Sequence, residues 1–187
     1  MSVQVVKRSF TVAEYRRMVG AGILSEDDRV ELIDGEVVAM TPIGARHAAC
    51  VDSVNLAMVT GVGDKAIVRI QSPVRLNLYT EPEPDVVLLR PRADFYASRH
   101  PGPEDILLIV EIADSSIDYD QDVKARIYAE CGVPEYWLAD LNANVVSCYS
   151  GPHERTYRSR QQYRRGQTIT PQMVPRCPVA VDALLRE

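Results

Sequence analysis

The sequence predicts a protein of the α/β class, with helices packed on an α+β mixed sheet. Two observations lead to this fold class. Three short apolar segments, near residues 66–78, 85–89 and 106–112, lie between two stretches with helical periodicity, and a further apolar segment follows the second stretch. The segments near 85–89 and 106–112 are also apolar at consecutive positions, which is typical of strands covered on both faces. The predicted core is therefore helix, three strands, helix, strand.

A short helix and a hairpin are predicted before this core. In "TVAEYRRMVGAG", Thr11 is followed three residues later by Glu14, which is the pattern of a helix-capping box. In "RVELIDGEVVAM", two alternating runs flank Asp34-Gly35, a dipeptide that favours a tight β-hairpin. Both elements are expected as additions to the core.

The two core helices are predicted from apolar spacing. Residues 46–62 have a helical apolar pattern that ends at the pair Gly61 and Gly63. The residues expected to face the core are Ala49, Val54, Met58 and Val59. The second helix is "DYDQDVKARIYAECG", which ends at Gly132. Its expected apolar side consists of Val123, Ile127 and Tyr128.

The remaining segments complete one domain over residues 1–187, a length that suits a single core. "PEYWLAD" predicts a buried strand, and "NVVSCYS" with "ERTYRSR" predicts a polar-edged hairpin. The tail "PVAVDALLRE" predicts a short helix or strand.

The composition argues against a membrane or disulfide-bonded protein. The longest apolar run, Ile106 to Val110, is far too short to cross a bilayer, and "MSVQVVKRSF" lacks the apolar core of a signal peptide. The cysteines are scattered, so we expect reduced thiols in a cytoplasmic protein. These cysteines are Cys50, Cys131, Cys148 and Cys177. His47 and Cys50 offer two metal ligands on one turn, but no second pair completes a zinc site.

The charge distribution leaves nucleic-acid binding open. A net charge of −5 is unfavourable for contact with phosphates. The segment "HERTYRSRQQYRR", however, interleaves Tyr157 and Tyr163 with a cluster of five arginines between Arg155 and Arg165. This cluster could follow a phosphate backbone. Alternatively, it is the solvated edge of a hairpin, where charge discourages aggregation.

Two carboxylates are predicted to meet at one end of the central strands. Asp85 precedes one apolar strand in "EPEPDVVLL", and Glu111 lies near the end of the next in "LLIVEIADSS". If these strands pair, about 4.8 Å apart, both side chains reach one small volume. Two close anions need a cation between them, and carboxylate oxygens suit Mg²⁺ or Mn²⁺.

A lysine follows on the next helix. Of the 21 basic residues, lysines are only Lys7, Lys65 and Lys124. Lys124 follows Glu111 on the helix that can fold back over the strand ends. A lysine, unlike an arginine, can change its protonation state and so act on a water molecule.

Each of these residues also has an ordinary structural explanation. Asp85 suits a turn or the entry to a strand. Glu111 could pair with Arg69 or Arg75 on an adjacent strand. Lys124 could form an exposed helix pair with Asp120, four residues before it.

At these residues the chain resembles a known family. "RVELIDGEVV", "EPDVVLL", "LLIVEIADSS" and "DYDQDVKARIYAECGVPEYWLAD" follow, in order and spacing, the pattern of the Uma-type restriction endonucleases. That family belongs to the PD-(D/E)XK nuclease superfamily, and the resemblance runs from about Phe10 to Tyr149. It implies a restriction-endonuclease-like core of helix, three strands, helix, strand, with the N-terminal helix and hairpin added.

The resemblance also implies roles for residues. Pro84-Asp85 matches the PD element and Glu111 matches the acidic residue of the third core strand. The superfamily's lysine usually lies two residues later, where this chain has Ala113, and in this family Lys124 matches it from the following helix. The remaining matches are Glu31, an acidic position of the N-terminal hairpin, and His47, near the start of the first core helix.

The implied activity is metal-dependent hydrolysis of DNA phosphodiester bonds. Asp85, Glu111 and the carbonyl of Ile112 would hold Mg²⁺ or Mn²⁺. Lys124 would orient or deprotonate the attacking water or offset developing charge, and Glu31 would add a carboxylate. Cleavage of both strands of duplex DNA implies a homodimer. The alternative is a non-catalytic nucleic-acid-binding or protein-interaction module on the same fold.

Overall fold

The computed structural model describes residues 7–186, and its centre is a mixed six-stranded sheet, as predicted. The helices are α1 (Val12–Gly20), α2 (Ala45–Val62), α3 (Ile117–Tyr119), a π-helix (Asp120–Lys124), α4 (Ala125–Glu130) and α5 (Val181–Leu184). The first strands are β1 (Val30–Ile33), β2 (Glu36–Ala39), β3 (Ile67–Ile70), β4 (Val86–Leu89) and β5 (Ile106–Ala113). The later strands are β6 (Glu135–Asp140), β7 (Val145–His153), β8 (Thr156–Tyr163), β9 (Thr168–Ile169) and β10 (Val179–Ala180). Short 3₁₀ turns occupy Glu26–Asp28 and Pro103–Asp105.

The large sheet has the order β3-β4-β5-β6-β7-β8. Strands β5 and β6 are parallel, and the remaining four neighbouring pairs are all antiparallel. The parallel pair requires a crossover connection, which is the helical segment 117–130. The predicted order of helix, three strands, helix, strand is confirmed as α2, β3, β4, β5, the 117–130 segment and β6.

Helices cover both faces of the sheet, which explains the continuous apolar runs. All eight residues of β5 are buried. Leu108 and Val110 pack in the same apolar cluster as α2, whereas Ile109 and Ala113 pack with α4 on the other face. Because side chains alternate along a strand, Glu111 points to the same face as Ile109, where the 117–130 segment lies.

The predicted core face of α2 was partly wrong. Val54 and Met58 are fully buried, but Ala49 is exposed and Val59 is 55% exposed. The buried side is completed by Cys50, Val51 and Val62. Apolar residues occur around much of this helix, so more than one stripe fits the helical period. The stripe that is buried is the one in the same apolar cluster as α5 and Cys177.

The predicted strand 66–78 was too long. The strand ends at Ile70, and Gln71 takes a left-handed conformation with φ of +41°, which turns the chain out of the sheet. Beyond this point the backbone bonds to a neighbouring loop, since the N–H of Val74 donates to Pro82 and that of Leu76 donates to Thr80. Apolar residues in 71–78 are therefore buried without extending the strand.

The predicted second core helix, in 117–130, is helical but not uniform. Its middle is the π-helix, with α3 before it and α4 after it. Ile127 and Tyr128 are buried as predicted, whereas Val123 is only partly buried. Gly132 follows the helix with φ of +76°, consistent with its predicted role as the helix stop.

The predictions for the ends of the chain are confirmed in the described residues. Thr11 and Glu14 form the capping box of α1, and Asp34-Gly35 forms the β1–β2 turn with both φ angles positive. Strands β7 and β8 form the predicted hairpin. The tail forms both a short strand, β10, and a short helix, α5. All four cysteines are free thiols.

Among residues 7–186, no helix is long and apolar enough to cross a membrane. The expectation that "MSVQVVKRSF" is not a signal peptide concerns residues 1–10, and residues 1–6 lie outside the described part of the chain.

Two neighbouring residues of α2 test its orientation. Met58→Ala should lower the free energy of unfolding by about 2–5 kcal/mol, because it leaves a cavity in a fully buried site. Val59→Ala removes an exposed side chain and should change stability by less than about 0.5 kcal/mol. Urea denaturation of both variants measures the difference, and equal losses would contradict the orientation described here.

Candidate active site

A cavity of about 310 Å³ lies beside the start of β4 and the end of β5. All the residues singled out from the sequence line it, although they come from five separate segments of the chain. They are Glu31 from β1, His47 from α2, Asp85 before β4, Glu111 and Ile112 from β5, and Lys124 from the π-helix. The fold therefore brings together a set of residues that spans almost one hundred positions of sequence.

Asp85 and Glu111 are held together by backbone hydrogen bonds. Strands β4 and β5 pair directly, with Val86 opposite Val110. The N–H of Asp85 donates to Glu111 Oε2 at 3.2 Å, and the N–H of Ile112 donates to Asp85 Oδ2 at 2.9 Å. A backbone N–H beside each carboxylate thus holds the other carboxylate in place. The predicted convergence of Asp85 and Glu111 is therefore confirmed.

Lys124 is buried among three carboxylates and is not an exposed helix residue. Its Nζ lies 3.1 Å from Glu111 and 3.2 Å from Glu31. The pair with Asp120 also exists, at 3.8 Å, but only 9% of the lysine side chain is exposed. The partner of Glu111 is therefore Lys124 and not an arginine of an adjacent strand.

The buried charges shift one another's pKa values. Burial by itself lowers the pKa of the Lys124 ammonium, but the surrounding carboxylates, chiefly Glu111, outweigh burial and raise that pKa above its ordinary value. Burial raises the pKa of the Glu111 carboxyl to about 8, although the Lys124 ammonium opposes the rise. Lys124 is consequently a fixed positive charge in this arrangement, which does not suit it as a proton acceptor.

The π-helix places two charged residues on the cavity side. Asp120 and Lys124 are its first and last residues, and both are buried beside the cavity. A π-helix is rare and occurs often at functional sites, because its wider turn changes which residues share a face. The sequence indicated Asp120 only as a possible partner of Lys124, four residues later, and not as a residue that lines this cavity.

Three further residues contact the site and were missed in the sequence. The hydroxyl of Tyr128 donates to Glu111 Oε1 at 2.7 Å, and Gln71 donates to Asp85 Oδ1 at 3.3 Å. Glu83 lines the cavity, and burial raises the pKa of its carboxyl. Tyr128 was read as a core residue because its ring is apolar, and only its partner reveals the polar role. Glu83 was visible in "EPEPD" but gave no separate signal.

His47 contacts Asp85, with its Nε2 2.9 Å from Asp85 Oδ1. This hydrogen bond raises the pKa of His47. Cys50, one turn later on α2, instead contacts the backbone of Arg186. The two potential metal ligands of "HAAC" therefore contact different parts of the chain.

The donor atoms of the cavity fit a hard divalent cation in their chemistry. Five carboxylates line it, against the single buried ammonium of Lys124, and all of these acids offer oxygen ligands. The acids are Glu31, Glu83, Asp85, Glu111 and Asp120. Four of these acids, all but Glu83, contact Lys124 or His47, and within residues 7–186 no three or more His, Cys, Asp or Glu groups are clustered as metal ligands. A cation therefore requires side-chain rearrangement.

The arginine cluster 155–165 lies outside this cavity. Arg158 and Arg160 belong to β8, which forms one edge of the large sheet, and the other three arginines lie just before or after this strand. That position agrees with the alternative of a charged, solvated edge. Arg155 and Arg160, however, line a second cleft.

Comparisons with known proteins agree with the fold. The model of the Uma2 family, described as "Putative restriction endonuclease", matches residues 12–181. A crystal structure from Anabaena variabilis, described as "a putative nuclease", has a TM-score of 0.70 at 14% identity. The match covers 94% of this chain and 97% of that one. No curated protein sequence matches this chain.

The fold and the buried carboxylate–lysine cluster define an α/β protein of the restriction-endonuclease-like class. The chain belongs to the Uma2 family, since the family model covers most of its length. The resemblance noted in the sequence is thereby confirmed, and the structural match at low identity supports the same fold.

Removing the buried ammonium should be strongly destabilising. Lys124→Met leaves the facing carboxylates without their cation, and should lower the free energy of unfolding by about 3–5 kcal/mol at neutral pH. Lys65→Met, which removes a largely exposed lysine paired with Asp64, should leave stability nearly unchanged. Chemical denaturation of the two variants provides the comparison. A Lys124→Met protein as stable as the wild type would show that the cluster does not depend on this charge.

Proposed function

We propose that this protein is a metal-dependent endonuclease that hydrolyses DNA phosphodiester bonds. The observation that carries the proposal is the position of Asp85 and Glu111 on paired strands, with Lys124 in direct contact with Glu111. Two carboxylates and a lysine around one cavity are the groups that the family resemblance implies for this chemistry. Membership of a family described as "Putative restriction endonuclease" supports the same reaction class.

The proposed ligands of Mg²⁺ or Mn²⁺ are Asp85, Glu111 and the carbonyl of Ile112. When bound, such an ion offsets phosphate charge and makes water a stronger nucleophile. The hydrogen bond between Ile112 N–H and Asp85 keeps the first carboxylate at the cavity. Glu111 must release its contact with Lys124, while the hydroxyl of Tyr128 can keep that carboxylate oriented.

Lys124 acts in this proposal through its charge and not by taking up a proton. Its raised pKa keeps the ammonium positive, so it can orient a water molecule or stabilise negative charge on the phosphate in the transition state. Glu31 also contacts the Lys124 ammonium, and therefore holds it in place when Glu111 turns to a metal ion. This assigns Glu31 a supporting part in catalysis.

The proposed setting follows from the same reasoning. The chain would act as a single cytoplasmic domain over residues 1–187. Cleavage of duplex DNA would need a homodimer, so that each strand meets one site. The competing function is a non-catalytic nucleic-acid-binding or protein-interaction module. Its support is that Glu111 and Asp85, the proposed metal ligands, already have side-chain partners in Lys124 and His47.

Cleavage assays separate the two functions. Wild-type protein should cleave supercoiled plasmid, single-stranded DNA or RNA with Mg²⁺ or Mn²⁺. Asp85→Asn and Glu111→Gln should reduce cleavage below detection, because each removes a proposed ligand charge, while circular dichroism shows a retained fold. Glu36→Gln, at an exposed acid of β2, is the control and should cut normally. No cleavage by wild type, together with no heat stabilisation by either ion, favours the module.

The lysine can be tested separately from the carboxylates. Lys124→Arg keeps the charge, but a planar guanidinium is too bulky for the space where an ammonium lies 3.1–3.8 Å from three carboxylates. Cleavage should fall by about two orders of magnitude or more. Lys65→Arg, on an exposed lysine, should have no effect. A Lys124→Arg protein that cuts at the wild-type rate would exclude a catalytic role for Lys124.

A further inference from the structure

A second cleft of about 440 Å³ lies on the other side of the helix that carries Lys124. Asp120 and Lys124 line the carboxylate cavity, whereas Gln121, Ala125 and Arg126 line this cleft. Its opposite wall comes from the β7–β8 hairpin. One short helical segment therefore separates the two sites.

Arginine side chains dominate the chemistry of the cleft. Arg160 donates to the Gln121 amide oxygen and to the Ser147 hydroxyl, both at 3.1 Å, and lies over the ring of Tyr149. These partners are neutral, so they position the guanidinium without cancelling its charge. Such a preorganised planar group is well suited to a phosphate, which accepts two hydrogen bonds from one arginine.

The other charges at the cleft are paired near its rim. Arg126 contacts Asp34 at 2.7 Å and Glu130 at 3.4 Å, and Glu130 also contacts Arg155 at 3.4 Å. The side chain of Arg155 is 65% exposed, and exposed pairs of this kind exchange partners at little cost. Asp122 is the opposing acidic residue on the cleft wall. Arg155 and Arg160 are thus the groups available to an anion.

The wall also contains a buried polar atom. The buried hydroxyl of Tyr149 lies beside the side chain of Ser147, the residue that also accepts a hydrogen bond from Arg160. Tyr149 is 8% exposed and lines the cleft under Arg160.

We propose that this cleft binds a backbone phosphate of the nucleic-acid strand whose cleavage takes place in the carboxylate cavity. This inference rests on the proposed nuclease function. The two sites lie on opposite sides of one helix, whose diameter with side chains is about 10–12 Å, so a strand that reaches both sites must pass around this helix. Arg155 and Arg160 bind the phosphate by charge and hydrogen bonds, independently of base sequence.

Arginine variants in and next to β8 test the cleft. Binding of short fluorescent single-stranded DNA, duplex DNA and RNA is measured in EDTA across a salt series. Arg155→Gln and Arg160→Gln should each weaken binding by about tenfold at low salt, as expected for one charged hydrogen-bonding group. Each should also reduce the salt slope by about 0.7 to 0.9, as expected for one lost phosphate contact.

Arg158→Gln is the matched control, because Arg158 belongs to the same strand as Arg160 but contacts His153 and does not line the cleft. Its affinity should stay close to that of wild type. Equal weakening of affinity by all three variants would indicate binding through overall positive charge. Either that result or unchanged affinity in both cleft variants would overturn the cleft assignment. Arg155→Gln decides the matter if Arg160→Gln fails to fold, since Arg155 is largely exposed.

Cleavage and binding readouts distinguish this proposal from the nuclease function. If wild type binds nucleic acid and the two cleft variants weaken it, but no cleavage occurs, the cleft stands and the nuclease function fails. If wild type cleaves and both variants keep its KM and affinity, the nuclease function stands and the cleft fails. Wild type that binds none of the three nucleic acids at low salt would refute the cleft.

Discussion

The structure around the candidate site depends on one buried ammonium group. Lys124 compensates Glu31, Glu111 and Asp120, which come from the N-terminal hairpin, the central strand and the helix that follows it. Taking these charges out of water is unfavourable, and only close contact between opposite charges offsets that penalty. The cluster therefore links three parts of the fold, and any rearrangement for catalysis must keep a cation beside the acids.

The two-sided burial of the sheet sets where this cluster can form. Strand β5 is covered on both faces, so the side chain of Glu111 points into protein and not into water. The crossover between parallel strands β5 and β6 places the 117–130 segment over the same face. Within that segment Asp120 and Lys124 of the π-helix line the cavity, whereas Gln121 of the π-helix and Arg126 of α4 line the second cleft. One helix thus serves two surfaces of different charge.

The sequence by itself determined the features that depend on neighbouring residues. The capping box of Thr11 and Glu14 and the turn at Asp34-Gly35 are specified by bonds and backbone angles within a few positions. The order of strands and helices followed from apolar periodicity, because burial on one or two faces leaves its pattern in the chain. The meeting of Asp85 and Glu111 was also predictable, since it required only that consecutive strands pair.

Only the tertiary structure decided the contacts between distant segments. The sequence could not choose between overlapping apolar stripes on α2, so Val59 was wrongly placed in the core. It could not show that Gln71 leaves the sheet, or that the hydroxyl of Tyr128 binds Glu111. Lys124 read equally well as an exposed helix residue until its burial was known. In each case the outcome depends on packing or charge contacts with residues far along the chain. A local sequence pattern does not identify those residues.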